Sequence, residues 1–204
     1  MGKKAKEFDK IAQEIFAPVY PAIARQILGK AQINDGLCLD IGCGSGYLGL
    51  AIAKMSDLNI YSIDNNPEAI ELLQQNIIKH QLKSRVKPLL GDVHNISLEK
   101  DSVQLAISRG SMFFWEEQEK ALNEIYRVLA PGGLAYIGGG FGTFEIKEEI
   151  DKKMLQRNPN WLEHLNKNIG SKEPSKWHDI LCKTDIPKFD IEHNPIEMWI
   201  VFRK

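Results

Sequence analysis

Apolar and polar positions alternate along the chain in two rhythms. Short, nearly continuous apolar runs occur at GLCLDI (36–41), NIYSID (59–64), RVKPLLGD (85–92), VQLAISRG (103–110) and LAYIGGG (134–140). Most end at glycine or an acid, as buried strands do. Between them lie stretches with helical spacing. PEAIELLQQNIIKHQL puts Ile70, Leu73, Ile77 and Ile78 on one face, and EEQEKALNEIYRVLAPGG does the same with Ala121, Leu122, Ile125, Val128 and Leu129. The second should stop at Pro131-Gly132-Gly133 and turn. Strands alternating with helices predict βαβ units: a doubly wound α/β fold, its sheet mainly parallel with helices on both faces. Residues 5–30 also read as helical, with Phe8, Ile11, Ile15, Phe16, Val19 and Ile23 in phase and Pro18 and Pro21 as interruptions. Residues 143–180 read as helical and polar, and FDIEHNPIEMWIVFRK as two strands of a hairpin turning at Asn194-Pro195. No repeat or linker divides the 204 residues, so one domain is expected.

Composition narrows the function classes. With 43% hydrophobic and 26% charged residues and a net charge of -1, nothing draws the whole molecule to a polyanion, so nucleic acid is an unlikely partner. Cys38, Cys43 and Cys182 form no CxxC pair, which argues against a disulfide framework and a zinc site and suits a reducing compartment. The start MGKKAKEFDK has no signal-peptide core, and no apolar run approaches membrane-spanning length. A cytoplasmic protein without membrane contact is expected. The five histidines are scattered without metal-ligand spacing, so no metal is expected, and His80 and His94 read as surface residues.

The chemistry concentrates in CLDIGCGSGYLGLA (38–51), which supports two frames. Read from Gly44 it fits the dinucleotide pattern GxGxxG; read from Gly42 it is a G-C-G-S-G loop preceded by Asp40. The first strand should end near Ile41, so the turn begins at Gly42, and the dinucleotide frame starts two residues late. Asp40 decides further. A pyrophosphate on this loop would meet a carboxylate, and like charges ~4 Å apart at an effective dielectric near 20 cost roughly 4 kcal/mol. S-adenosylmethionine carries a sulfonium and an ammonium group and no phosphate, so it is the ligand that Asp40 favours. Gly42, Gly44 and Gly46 let the loop lie against a nucleoside, and Gly49 lets the following helix pack closely on the strand. Asp64 ends the second strand about 20 residues later, placed for both ribose hydroxyls or for capping the helix that starts near Pro67, a role open equally to Asn65 and Asn66. Asp92, after the third strand, can accept from an adenine amino group beside the Val93 amide, or serve as a turn aspartate.

LDIGCGSG, then Asp64, then GDV, then LAPGG before a strand resembles, over roughly residues 36–140, a class I S-adenosylmethionine-dependent methyltransferase. FDIEHNPIEMWIVFRK resembles the hairpin that closes the seven-stranded sheet of that family. The resemblance implies that Asp40, Gly42, Gly44 and Gly46 surround the methionine part of the cofactor, that Asp64 and Asn65 hold its ribose and Asp92 and Val93 its adenine, and that Ser108 contacts it through the backbone. It implies an N-terminal helical lid (1–30), a cofactor-binding core (31–142), a helical acceptor-side segment (143–185) and a closing hairpin (186–204).

The Asn/Asp-Pro-Pro-aromatic motif of adenine and glutamine N-methyltransferases is missing from SRGSMFFWEEQ (108–118). Arg109 and Ser111 stand there as polar acceptor candidates with Tyr20 from the lid. Arg109 could bind a carboxylate or phosphate, or pair with Glu116 or Glu117. Met112, Phe113, Phe114 and Trp115 could line a pocket or pack the next helix, and Trp161 or Trp177 could face a cationic substrate or pack. Methyl transfer from a sulfonium rests on positioning, so no general base is assigned. The expected function is methyl transfer to a small molecule by a monomer or homodimer. The alternatives are a methyltransferase of RNA or protein, a cofactor-binding module without catalysis, and an NAD-type oxidoreductase.

Overall fold

The computed structural model describes residues 3–163, 165 and 173–204. Each apolar run becomes a strand: β1 (Leu37–Ile41), β2 (Asn59–Asp64), β3 (Val86–Leu90), β4 (Val103–Arg109) and β5 (Leu129–Gly140). The tail forms β6 (Phe189–Asn194) and β7 (Glu197–Arg203). They make one seven-stranded sheet in the order β3-β2-β1-β4-β5-β7-β6, with β7 antiparallel to both its neighbours and the other pairs parallel. At the hairpin turn, Asn194 Oδ1 accepts from the amides of Ile196 (2.9 Å) and Glu197 (3.1 Å).

Among the α-helices of the described residues are α1 (Lys3–Glu14), α2 (Val19–Ala31), α3 (Tyr47–Met55), α4 (Pro67–Lys79), α5 (Gln118–Val128), α6 (Phe144–Arg157) and α7 (Pro174–Leu181). They cover both faces of the sheet, and strand side chains alternate between two cores. Trp199 and Val201 of β7 join Ile23, Ile27, Leu50 and Leu73 on one face. Met198, Ile200 and Phe202 join Leu122, Ile125 and Trp177 on the other.

Two sequence expectations shift. Pro21 does not interrupt the N-terminal helical region; it lies in the first turn of α2, where a missing N–H costs nothing, and the break is at 15–18 before α2. Pro131-Gly132-Gly133 is not a separate turn after the helix. α5 ends at Val128, Leu129 already pairs with Val103, and the proline and glycines form an irregularity within β5 before pairing resumes at Leu105–Leu134. Gly132, at φ +81°, takes the left-handed conformation this needs. Of the expected helical segment 143–180, residues 164 and 166–172 lie outside the described residues. No helix among the described residues is long and apolar enough to cross a membrane.

Candidate functional site

The C-terminal ends of the parallel strands converge on the loop between β1 and α3. Its three glycines all have positive φ: +62° at Gly42, +54° at Gly44 and +82° at Gly46. A Cβ on Gly42 would stand 2.3 Å from Ser111 Cβ and one on Gly46 2.2 Å from Leu73 Cδ1, whereas one on Gly44 would meet nothing within 4 Å. Gly42 and Gly46 are therefore packed from behind, and Gly44 faces open space.

Two acids fix this loop. Asp64 accepts from the Gly44 amide (2.8 Å) and the Asn66 amide (2.9 Å), joining the glycine loop to the start of α4. The cap of α4 is Asn66, whose Oδ1 accepts from the Glu68 amide at 3.0 Å. Asp40 is 2% exposed and accepts from the Gly49 amide at 3.0 Å. Burial pushes its carboxyl up to about 7, the Gly49 amide opposes this and Asp64 adds to it. Gly49 is required by that contact, because a Cβ there would lie 2.7 Å from Asp40 Oδ2 and 3.1 Å from Ile60 Cγ2.

A groove of about 730 Å³ runs from this loop past Asp64 and Asn65 to Gly91, Asp92, Val93 and His94. Asp92 makes a local turn, Oδ1 accepting from the His94 amide at 2.8 Å. That bond, with the His94 ring beside it, holds the Asp92 carboxyl below its ordinary range. Val93 is buried. His94 modifies the expectation of a surface residue: it is half-buried, its Nδ1 meets Asp92 and its buried Nε2 has no hydrogen-bond partner among the described residues. His80 is half-buried beside Lys54, and burial lowers its pKa.

A second cavity, of about 750 Å³, opens from the glycine loop beneath α1, α2 and α6. Tyr20, Arg109 and Ser111 all line it. The Tyr20 ring is 5.2 Å from that of Tyr47, and burial raises its pKa. Tyr47 in turn donates to Asp9 Oδ1 at 2.8 Å, tying α1 to α3. Arg109 forms no ion pair with Glu116 or Glu117. Its guanidinium lies 5.6 Å from the Phe16 ring and 5.7 Å from the Tyr20 ring, and Nε donates to the Gly140 carbonyl at 3.0 Å. The Ser111 hydroxyl is engaged within the protein, at 2.6 Å from Ser108 Oγ and donating to the Ile41 carbonyl at 3.2 Å, so it braces the glycine loop. Ser108 is fully buried.

The aromatic run divides between its two readings. Met112 is in the core, Phe113 and Phe114 line the cavity, and Trp115 lines the groove. Trp177 packs in the core, edge-on to Phe113 at 6.2 Å. Trp161 lines the cavity, edge-on to Phe16 at 6.2 Å. Phe16, Tyr47 and Phe141 are cavity residues that the sequence reading did not assign. Tyr47 had a signal, its place directly after Gly46; Phe141 had none.

The loop fits S-adenosylmethionine better than a pyrophosphate. Among the described residues, the charged ones lining the cavity around it are Asp40 and Asp64, with Arg109 at the end of β4, and the open side of Gly44 leaves room for a ligand against the backbone. Carboxylates there attract a sulfonium or ammonium group and repel phosphate.

The comparisons agree. Residues 39–137 match the family described as "Methyltransferase domain". A solved structure from Methanococcus maripaludis, provisionally assigned as an S-adenosyl-L-methionine-dependent methyltransferase, is 40% identical, covers 99% of this chain and 92% of its own, and superimposes with a TM-score of 0.94. A sterol 24-C-methyltransferase from Clavispora lusitaniae is 30% identical over 117 residues, which make up 57% of this chain and 30% of that protein. A malonyl-[acyl-carrier protein] O-methyltransferase from Priestia megaterium is 28% identical over 148 residues, 69% of this chain and 52% of that protein. The chain thus spans about a third to a half of the length of these curated relatives. With glycine loop, acids and strand order all in place, the chain belongs to the S-adenosyl-L-methionine-dependent methyltransferases, and S-adenosyl-L-methionine is its cofactor.

Proposed function

We propose that the protein transfers the methyl group of S-adenosylmethionine to a small organic acceptor held in the cavity beneath α1, α2 and α6, which serve as its lid. One observation carries this reading: the acid-flanked glycine loop opens directly into an aromatic-walled cavity of about 750 Å³. The bound cofactor would supply an electrophilic methyl on a sulfonium, which the acceptor would take with the S–CH3 electron pair left on sulfur and any acceptor proton released to bulk solvent as the product leaves. Asp64 and Asn65 would hold the ribose, Asp92 and Val93 the adenine, and Asp40 would face the positive end. Ser108 would contact the cofactor through its backbone, and Tyr20, Arg109 and Ser111 would contact the acceptor, Ser111 also bracing the glycine loop. The chain's other contribution is to exclude water and hold the acceptor about 3 Å from the methyl, in line with the bond that breaks.

The names of the sterol and malonyl-carrier relatives support a small or carrier-borne acceptor. Arg109 is followed by Glu116 and Glu117, which do not make the basic track that RNA would need. The test is calorimetric titration with S-adenosylmethionine and with NADH, followed by labelled methyl transfer into fractionated metabolite extracts. Binding of NADH alone would overturn the reading, and cofactor binding with no transfer to any fraction would leave a module without catalysis.

A further inference from the structure

Among the described residues, Arg109 carries the one charge on the acceptor side of the cavity that no other side chain answers. Its Nε is bound to the Gly140 carbonyl, but neither Nη group has a hydrogen-bond partner among the described residues. No ion pair among those residues involves it. The remaining residues, 1–2, 164 and 166–172, include no Asp or Glu, so no acidic side chain there can neutralise it. Two aromatic faces and a carbonyl replace only part of the water and counter-ion that a guanidinium loses on burial. The neighbouring cation Lys147, 5.6 Å from the Phe141 ring, is already paired with Asp151. Among the described residues, the acceptor side therefore presents one net positive charge, displayed as a planar pair of Nη donors. The walls around it are apolar, and Phe8 and Phe114, which line the same cavity, remain 64% and 70% exposed.

We infer that the acceptor is an apolar molecule bearing a single carboxylate, which Arg109 grips through its two Nη groups while Phe8 and Phe114 flank the hydrocarbon body. The planar fork matches a carboxylate, and one uncompensated cation matches a monoanion better than a phosphate dianion. The carboxylate fixes which end of the acceptor faces the glycine loop. This rests on the cavity being the acceptor site of methyl transfer.

The test uses the full chain saturated with S-adenosylhomocysteine and titrated calorimetrically with decanoate, decanamide, decylamine and decyl phosphate. Decanoate is expected to bind at least about tenfold tighter than decanamide, with decylamine weakest. Arg109→Gln should weaken decanoate by about 10- to 100-fold and move decanamide and S-adenosylhomocysteine by less than about twofold. Arg109→Lys, which keeps the charge but not the fork, should fall between. Decanamide binding as tightly as decanoate, or no measurable binding of decanoate, overturns the proposal. Decyl phosphate binding about tenfold tighter than decanoate overturns the choice of carboxylate. The comparison of probes on the unaltered protein decides the matter even if the Gln variant does not fold. Failure of S-adenosylhomocysteine to bind would overturn the methyltransferase reading separately, because the probes can also be titrated without it.

Discussion

Replacing Asp64 by alanine should lower both stability and cofactor affinity, by amounts that can be separated. The carboxylate holds two backbone amides, Gly44 at 2.8 Å and Asn66 at 2.9 Å. Hydrogen bonds to charged groups contribute about 1.5–3 kcal/mol each when dry. Asp64 is half-buried and lines both cavities, so the freed amides reach water and the loss is nearer 1 kcal/mol apiece, about 2 kcal/mol together. For a chain of this length 1 kcal/mol moves Tm by about 2–4 °C, so the cofactor-free protein should melt about 4–8 °C lower. If the same carboxylate meets the ribose, cofactor affinity should also fall by about 10- to 100-fold, or about 1.4–2.8 kcal/mol. Asp64→Asn keeps one acceptor oxygen and should recover about half of the Tm loss while recovering little affinity. Scanning calorimetry without ligand and titration with S-adenosylmethionine read the two effects independently. A lowered Tm with unchanged affinity would make Asp64 a loop anchor alone and remove it from the cofactor site.

Other residues give sharp contrasts. Gly42→Ala should cost about 2–5 kcal/mol, from a left-handed backbone and a Cβ 2.3 Å from Ser111 Cβ, whereas Gly44→Ala, with open space, should cost about 1–2 kcal/mol yet still remove most of the melting shift produced by S-adenosylhomocysteine; an unaltered shift would place the cofactor elsewhere. Burial raises the Asp40 carboxyl from 3.8 to about 7, so between those values the folded chain holds a proton that the unfolded chain has lost. Stability of the cofactor-free protein should therefore fall by up to about 4 kcal/mol as pH rises from about 4 to 7 and then level off, and denaturant titration of Asp40→Asn should show the slope gone. A sulfonium favours the ionised carboxyl, so S-adenosylmethionine should gain affinity across pH 6–8 more steeply than S-adenosylhomocysteine; parallel curves would refute a charge contact. Tyr47→Phe breaks the 2.8 Å bond to Asp9 and should speed amide exchange in α1 while leaving the β1 and β4 amides protected.

The sheet was legible because its signals are local. Each buried parallel strand is a short apolar run, and the glycine loop with Asp40, Asp64 and Gly49 lies within 25 residues whose spacing is set by one βαβ unit. What escaped depends on contacts between distant segments. Pro131-Gly132-Gly133 reads as a helix stop and turn, but Leu129 is already committed to pairing with Val103. Arg109 has two acids nearby in sequence, yet the rings of Phe16 and Tyr20, contributed some 90 residues earlier, enclose it instead. His94 looks like any polar loop residue until the Asp92 turn folds its ring inward. Ser111 lines both the cavity and the groove, and only the folded chain shows that its hydroxyl also donates to the Ile41 carbonyl beneath the glycine loop.

The placement of β7 has a consequence for how the molecule is made. It occupies the interior of the sheet, between β5 and β6, although β5 ends at Gly140 and β7 does not begin until Glu197. During synthesis the ribosome releases the glycine loop, Asp64 and β5 well before the strand that covers the β5 edge, and β6 has no neighbour until β7 arrives. A nascent chain thus holds the pieces of its cofactor site beside an open, apolar strand edge, which is the kind of surface that pairs with other chains. Insertion of Met198–Phe202, buried from both faces, is the event that closes this window. Substitutions in β7 should therefore reduce the yield of soluble protein before they alter its chemistry, although none of its residues needs to touch the methyl donor.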